Sequence, residues 1–176
     1  MEIKAFLISI IVTFFTIIPL FAAEDCDDKS KCVCDDCHQL DFWIGEWKVQ
    51  WDNPDGTASE GKNTINSILN GCVIQENFDG NPGVDFKGKS FSVYNHTQKM
   101  WQQTWVDTEG NYMVFTGSKE DEKMILSRKI EYEGNEITQR MIFYNIKEDS
   151  FDWNWESSKD NKESWQLNWK LKYTRL

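Results

Sequence analysis

Two groups of residues in this sequence have the types and spacings to do chemistry. The first is a run of cysteines, Cys26, Cys32, Cys34 and Cys37, in which Cys34-Asp35-Asp36-Cys37-His38 sets two thiols three residues apart with an imidazole directly behind them. Thiols this close can pair as disulfides. Cys34, Cys37 and His38 are also a soft donor set of the kind that holds zinc, and a CxxC pair can exchange with other disulfides. The string matches a c-type haem attachment site as well, but it lacks the flanking helical pattern and an axial methionine, so no cofactor is implied. The second group is scattered along the chain: Glu76, Gln103 and Arg128 are polar residues placed in step with apolar neighbours.

That step is two. Cys72, Ile74, Glu76 and Phe78 recur at alternate positions, as do Trp101, Gln103 and Trp105, and then Met124, Leu126, Arg128, Ile130 and Tyr132. In a strand such residues share one face, which turns Glu76, Gln103 and Arg128 inward and makes Cys72 a small buried hydrophobe. Around 136–147 the parity admits either Gln139 or Arg140 inward. A carboxylate and a guanidinium are each costly to bury alone, so they pair in a filled interior or line a wet cavity. In the cavity reading Arg128 and Gln103 grip a ligand head group, Glu76 lines the same space, and Trp47, Trp101, Trp105, Trp153 and Trp155 pack the ligand body. In an enzymatic reading Glu76 is the one candidate catalytic residue, a general acid or base whose pKa rises on burial. Other catalytic options are narrow: His38 and His96 are the only histidines, His96 falls in a turn where solvation is expected, and no GxSxG elbow occurs.

The elements that must carry these residues are short and alternating. Ten segments with period-two patterning lie near 43–52, 62–70, 71–79, 88–95, 99–107, 112–118, 122–132, 136–147, 150–156 and 163–175. Turn-forming runs such as Asn53-Pro54-Asp55-Gly56, Asn81-Pro82-Gly83 and Glu133-Gly134-Asn135 separate them. No long stretch has a 3.6-residue apolar period, which excludes a βαβ design. The pattern predicts an all-β fold, about ten antiparallel strands in an up-and-down barrel, because closure removes exposed edges. Ser158 to Trp165 resembles an Asp-box and reads as a turn in which Asp160 bonds nearby backbone N–H groups.

The bulk properties set the surroundings. Lys4, an apolar run from Ala5 to Leu20, and Ala22-Ala23 have the layout of a secretory signal peptide over residues 1–23. A Cys-rich acidic leader, 24–40, and a barrel domain, 41–176, follow. Export implies a secreted or periplasmic protein with no stable membrane insertion after cleavage, and there thiols oxidise, so Cys26, Cys32, Cys34 and Cys37 are expected in disulfides. A net charge of −10 with no basic patch excludes nucleic acid as a partner. Nine Trp, eleven Phe and five Tyr either fill a core or line a ligand cavity.

The first strand carries a resemblance. Phe42-Trp43-Ile44-Gly45-Glu46-Trp47 is similar to the Gly-x-Trp opening of calycins, the superfamily of lipocalins and fatty-acid-binding proteins. That likeness implies that Trp47 closes one end of the barrel after Gly45, with a last-strand arginine, here Arg175, over its face. The chain also resembles a secreted FWxGEW family near domain of unknown function 1579, through Asp41 to Trp47, Gly71 to Glu76, Gln103 to Asp107 and Tyr173 to Arg175. This second likeness implies fold and export and brings no activity. Together these readings give an extracytoplasmic barrel that binds a small, partly apolar molecule with an anionic or polar head group. An enzyme using Glu76 and a purely structural or interaction protein are the alternatives.

Overall fold

Each of the ten alternating segments becomes a strand in the computed structural model, which describes Cys32 and residues 34–176. The expected signal peptide over 1–23 and the thiol of Cys26 lie outside the described residues. The strands are β1 (Gly45–Asp52), β2 (Ala58–Ile68), β3 (Val73–Asp79), β4 (Lys87–Asn95), β5 (Met100–Asp107), β6 (Tyr112–Glu120), β7 (Lys123–Tyr132), β8 (Asn135–Tyr144), β9 (Ser150–Ser158) and β10 (Gln166–Arg175). Each pairs antiparallel with its sequence neighbours, and β1 pairs with β10 to close the barrel. Among the described residues no helix is long and apolar enough to cross a membrane.

Side-chain alternation decides what goes inside. Trp47, Val49 and Trp51 are buried along β1, Ile74, Glu76 and Phe78 along β3, and Ser90 and Ser92 along β4. Trp165, Leu167, Trp169, Leu171, Tyr173 and Arg175 alternate in sequence, yet they do not share one face. A bulge between Leu167 and Trp169 inserts a residue into β10, so Leu167 is 51% exposed while Leu171 and Tyr173 are buried. An inserted residue reverses every side chain before it. Trp165 therefore lies on the outer surface, where the Arg140 guanidinium sits 3.5 Å above its ring and pairs with Glu156. The inner residue of β8 is Gln139, in step with buried Met141 and Phe143.

The barrel has two unlike ends. The start of β1, the end of β10 and the turns β2–β3, β4–β5, β6–β7 and β8–β9 gather at one end. The end of the leader and the residues that join it to β1 pack there as two short 3-10 helices, Asp35–His38 and Asp41–Trp43, burying Cys34, Cys37, Leu40 and Trp43. This end is clasped. Trp47 stands opposite Arg175 across β1 and β10, and the guanidinium lies 4.2 Å over the indole. Arg175 also donates to the carbonyls of Ile44 at 2.9 Å, Phe42 at 3.3 Å and Glu148 at 3.0 Å, while Trp47 Nε1 donates to Trp43 O at 2.7 Å. Gly45 is required: its φ is +137°, and a Cβ there would meet Arg175 Nη1 at 2.3 Å. At the far end the hairpin of Ser158 to Trp165 is a turn in which Asp160 accepts from the backbone N–H of Ser164 at 3.0 Å.

Candidate functional site

Inside the far half of the barrel a cavity of about 260 Å³ remains. Its walls come from alternate positions of six strands, β3, β5, β6, β8, β9 and β10, and Trp43, just before β1, reaches it from the plugged side. Phe86, Asp107, Glu109 and Asn111 also line it, from the loop before β4, the end of β5 and the β5–β6 turn, where Glu109 and Asn111 are exposed. The cavity therefore meets solvent at the far end. A larger concavity of about 1230 Å³ runs along β1, β9 and β10, but its sides are mostly outward-facing polar residues such as Gln50, Lys170 and Lys172.

Packing sets the indoles around the smaller cavity. Trp105 stacks on Phe86 at 6.2 Å between centroids and donates from Nε1 to Asp107 at 2.9 Å. Its ring crosses β4 at Gly88, where an added Cβ would lie 2.0 Å from the indole. Trp155 meets Phe115 edge to face at 5.6 Å, and Trp153 meets Trp169 at 6.3 Å. Such edge contacts fix ring orientation without filling the space between rings.

Glu76 supplies the polar centre. Its carboxylate accepts from Asn63 Nδ2 at 2.7 Å and from Ser90 Oγ at 2.6 Å, and Asn63 also donates to the Tyr173 hydroxyl at 3.2 Å. Burial raises the Glu76 pKa to about 7, outweighing these two neutral hydrogen bonds, which pull it down. The Tyr173 hydroxyl is pushed up, first by burial and then by the Glu76 charge. Trp43 lines the cavity too, and its Nε1 has no acceptor among the described residues.

Of the residues expected to bind a ligand, Glu76, Trp105, Trp153 and Trp155 line this cavity, and Trp47, Trp101, Gln103 and Arg128 do not. Trp47 and Trp101 pack the plugged end, where Trp101 Nε1 donates to Gln39 of the leader at 3.3 Å. Gln103 is buried but turned toward β4, donating to Ser92 Oγ at 2.9 Å. Arg128 keeps the inward parity, yet its guanidinium donates to Gln139 at 2.8 Å and lies 5.4 Å over the Phe115 ring. Desolvation there pushes its pKa down. No Glu76–Arg128 pair forms among the described residues, because parity gives a side chain's face and leaves its height along the barrel open. Asn63, Ser90, Tyr173 and Trp169 were missed as site residues. The signal for Asn63 was its alternation with Ile65, opposite Trp47 in the sheet.

The cysteine group sits at the plugged end and is organised differently from expectation. Cys32 is disulfide-bonded to Cys72, tying the leader to the β2–β3 turn. Cys72 is thus a cross-link and not a buried hydrophobe. Strand alternation ends at Val73, so the parity that turns Ile74 inward does not extend to the turn residue before it. The Sγ atoms of Cys34 and Cys37 lie 2.8 Å apart, and the imidazole beside them is His96, 3.9 Å from Cys34 and 3.6 Å from Cys37. The disulfide-bonded Sγ of Cys32 lies within 4.8 Å of the Cys37 and His96 donor atoms, a geometry open to thiol–disulfide exchange. His38, the expected imidazole of this set, is exposed and pairs with Asp41 at 2.7 Å. His96 is half-buried against Tyr94 and not a solvated turn residue.

A family described as a protein of unknown function, DUF1579, matches residues 35–175, and the chain belongs to that family. No curated protein matches the chain.

Proposed function

We propose that this barrel is an extracytoplasmic small-molecule-binding module, calycin-like in design, that takes a partly apolar ligand with a polar group through its far end. The cavity carries the reading: about 260 Å³ of space walled by indoles and converging on one buried carboxyl. That is near the lower bound of small-molecule sites, so the ligand is small. Orphaned Trp43 Nε1 and the hydrogen-bonded Glu76 supply orientation, while the rings supply apolar contact. The Cys32–Cys72 disulfide and the apolar N-terminal run support action outside the cytoplasm. The test is native mass spectrometry of the protein recovered after export from its own host, compared with the denatured mass. A mass excess of ligand size that denaturation removes is expected. A bare polypeptide mass, corrected for its disulfide, counts against the reading.

A second reading, an enzyme with Glu76 as general acid or base, is favoured by one observation: with no cation beside it among the described residues, burial raises the carboxyl's pKa to about 7. It ranks below binding because Ser90, the hydroxyl that Glu76 touches, does not line the cavity, leaving no nucleophile at the acid.

A further inference from the structure

We infer that the ligand carries a positive charge: an organic ammonium group seated among the cavity indoles with Glu76 as its buried counter-ion. The inference rests on the binding reading above and adds the sign of the ligand's charge, which it reverses from the anionic head group that Arg128 suggested.

The first support is the charge of the lining. Glu76, Asp107 and Glu109 face the cavity, and no Lys, Arg or His among the described residues lines it. Arg128, the nearest cation expected inside, is engaged with Gln139 and Phe115 instead. An anion entering this space would lose its hydration and meet three acidic groups and no compensating charge. The second support is the state of Glu76. Among the described residues only the neutral donors Asn63 and Ser90 touch its oxygens, so burial with no cation among them holds its pKa near neutrality. A buried charge is stable when paired, and an ammonium group entering the cavity supplies the partner while the carboxyl proton leaves to solvent. The third support is the wall itself. Trp43, Trp105, Trp153, Trp155 and Trp169 line one cavity, and indole is the best aromatic partner for a desolvated cation. A neutral apolar ligand would gain ring contact alone and leave Glu76 uncompensated. At the mouth Asp107 and Glu109 add a negative field, and the whole chain carries −10, both of which attract cations.

The experiment is calorimetric titration of the mature, disulfide-bonded protein at pH 8 with three probes of similar shape: benzyltrimethylammonium, neopentylbenzene and phenylacetate. The ammonium is expected to bind at least about tenfold more tightly than the neutral isostere, with no heat from the carboxylate. Glu76→Gln should reduce the ammonium's affinity to that of the neutral probe and leave the neutral probe unchanged. If Glu76→Gln fails to fold, wild-type affinity for the ammonium, falling about tenfold or more from pH 8 to pH 5 while the neutral probe stays constant, carries the same test. Asp107, Glu109 and Tyr173 are the other titratable groups on this cavity among the described residues, and Glu109→Gln in the same titration separates the mouth from Glu76. Equal affinity of the charged and neutral probes, or tighter binding of phenylacetate, overturns the inference and leaves the binding reading standing. Absence of heat with all three probes at millimolar concentration overturns both.

Discussion

The two ends of this barrel use the same residue types for opposite ends. At the plugged end the leader's own side chains and backbone fill the space between rings. Trp47 packs on Phe151 at 5.0 Å and on Tyr173 at 6.2 Å, and its N–H and the Arg175 guanidinium are bonded to leader and loop carbonyls. At the far end Trp105, Trp153, Trp155 and Trp169 are only half-buried, and their rings surround a cavity that no segment of the described chain fills. Aromatic content alone therefore does not separate core from site. The distinction is whether chain or solvent occupies the gap that edge-to-face rings leave.

The largest expected contrast comes from truncating one indole at each end. Trp47→Ala should cost about 3–5 kcal/mol in urea unfolding, since it opens a void in packed surroundings and strands Arg175. Trp155→Ala should cost less than half of that and instead weaken benzyltrimethylammonium binding in the titration above. Equal stability losses would mean that the far end is core as well.

The covalent tie sharpens the contrast next. Removing both Cys32 and Cys72 by alanine substitution should lower unfolding stability by about 3–4 kcal/mol, the loop-closure entropy of a cross-link spanning 40 residues. Denaturant melts of the variant check this, and the ammonium affinity should not change, because the disulfide sits at the opposite end from the cavity.

Glu76 then tests the far end through pH. Its folded pKa of about 7 lies above the unfolded value of 4.5, so the protein is most stable below pH 4.5 on this account and loses stability as pH rises through 7. Glu76→Gln removes that slope. Measured by denaturant melts from pH 4.5 to 8, the variant should gain about 3 kcal/mol relative to wild type across the window. A constant difference would show that Glu76 titrates as an exposed carboxyl does. The smallest effect belongs to the clasp. Arg175→Lys should cost about 1–2 kcal/mol in the same melts, because an ammonium cannot span three carbonyls and an indole face as a planar guanidinium does.

Much of the architecture was legible in the chain because period two fixes a strand's faces locally. Trp47, Val49 and Trp51, or Ile74, Glu76 and Phe78, need only their neighbours' parity to be placed inside. The reading lost hold wherever the period was interrupted. The bulge before Trp169 turned Trp165 and Leu167 outward, and the β2–β3 turn released Cys72 from its strand. The candidate site was half legible for a related reason. Glu76, Trp105, Trp153 and Trp155 are in the cavity and Gln103 and Arg128 are beside it, since depth along the barrel depends on strand register, which alternation does not encode.

Local alternation and turn chemistry were enough to give an all-β chain, the approximate places of its ten strands and the inward residues of the uninterrupted ones. The sequence also shows that Gly45, Trp47 and Arg175 occur where a clasp could form. Tertiary structure alone decided which distant residues meet: Cys32 with Cys72, His96 rather than His38 with the leader thiols, and Arg128 with Gln139 rather than with Glu76. It alone set the sign of the cavity's charge. Those outcomes depend on closure and stagger of the whole sheet, and no segment of sequence carries that information without the others in place.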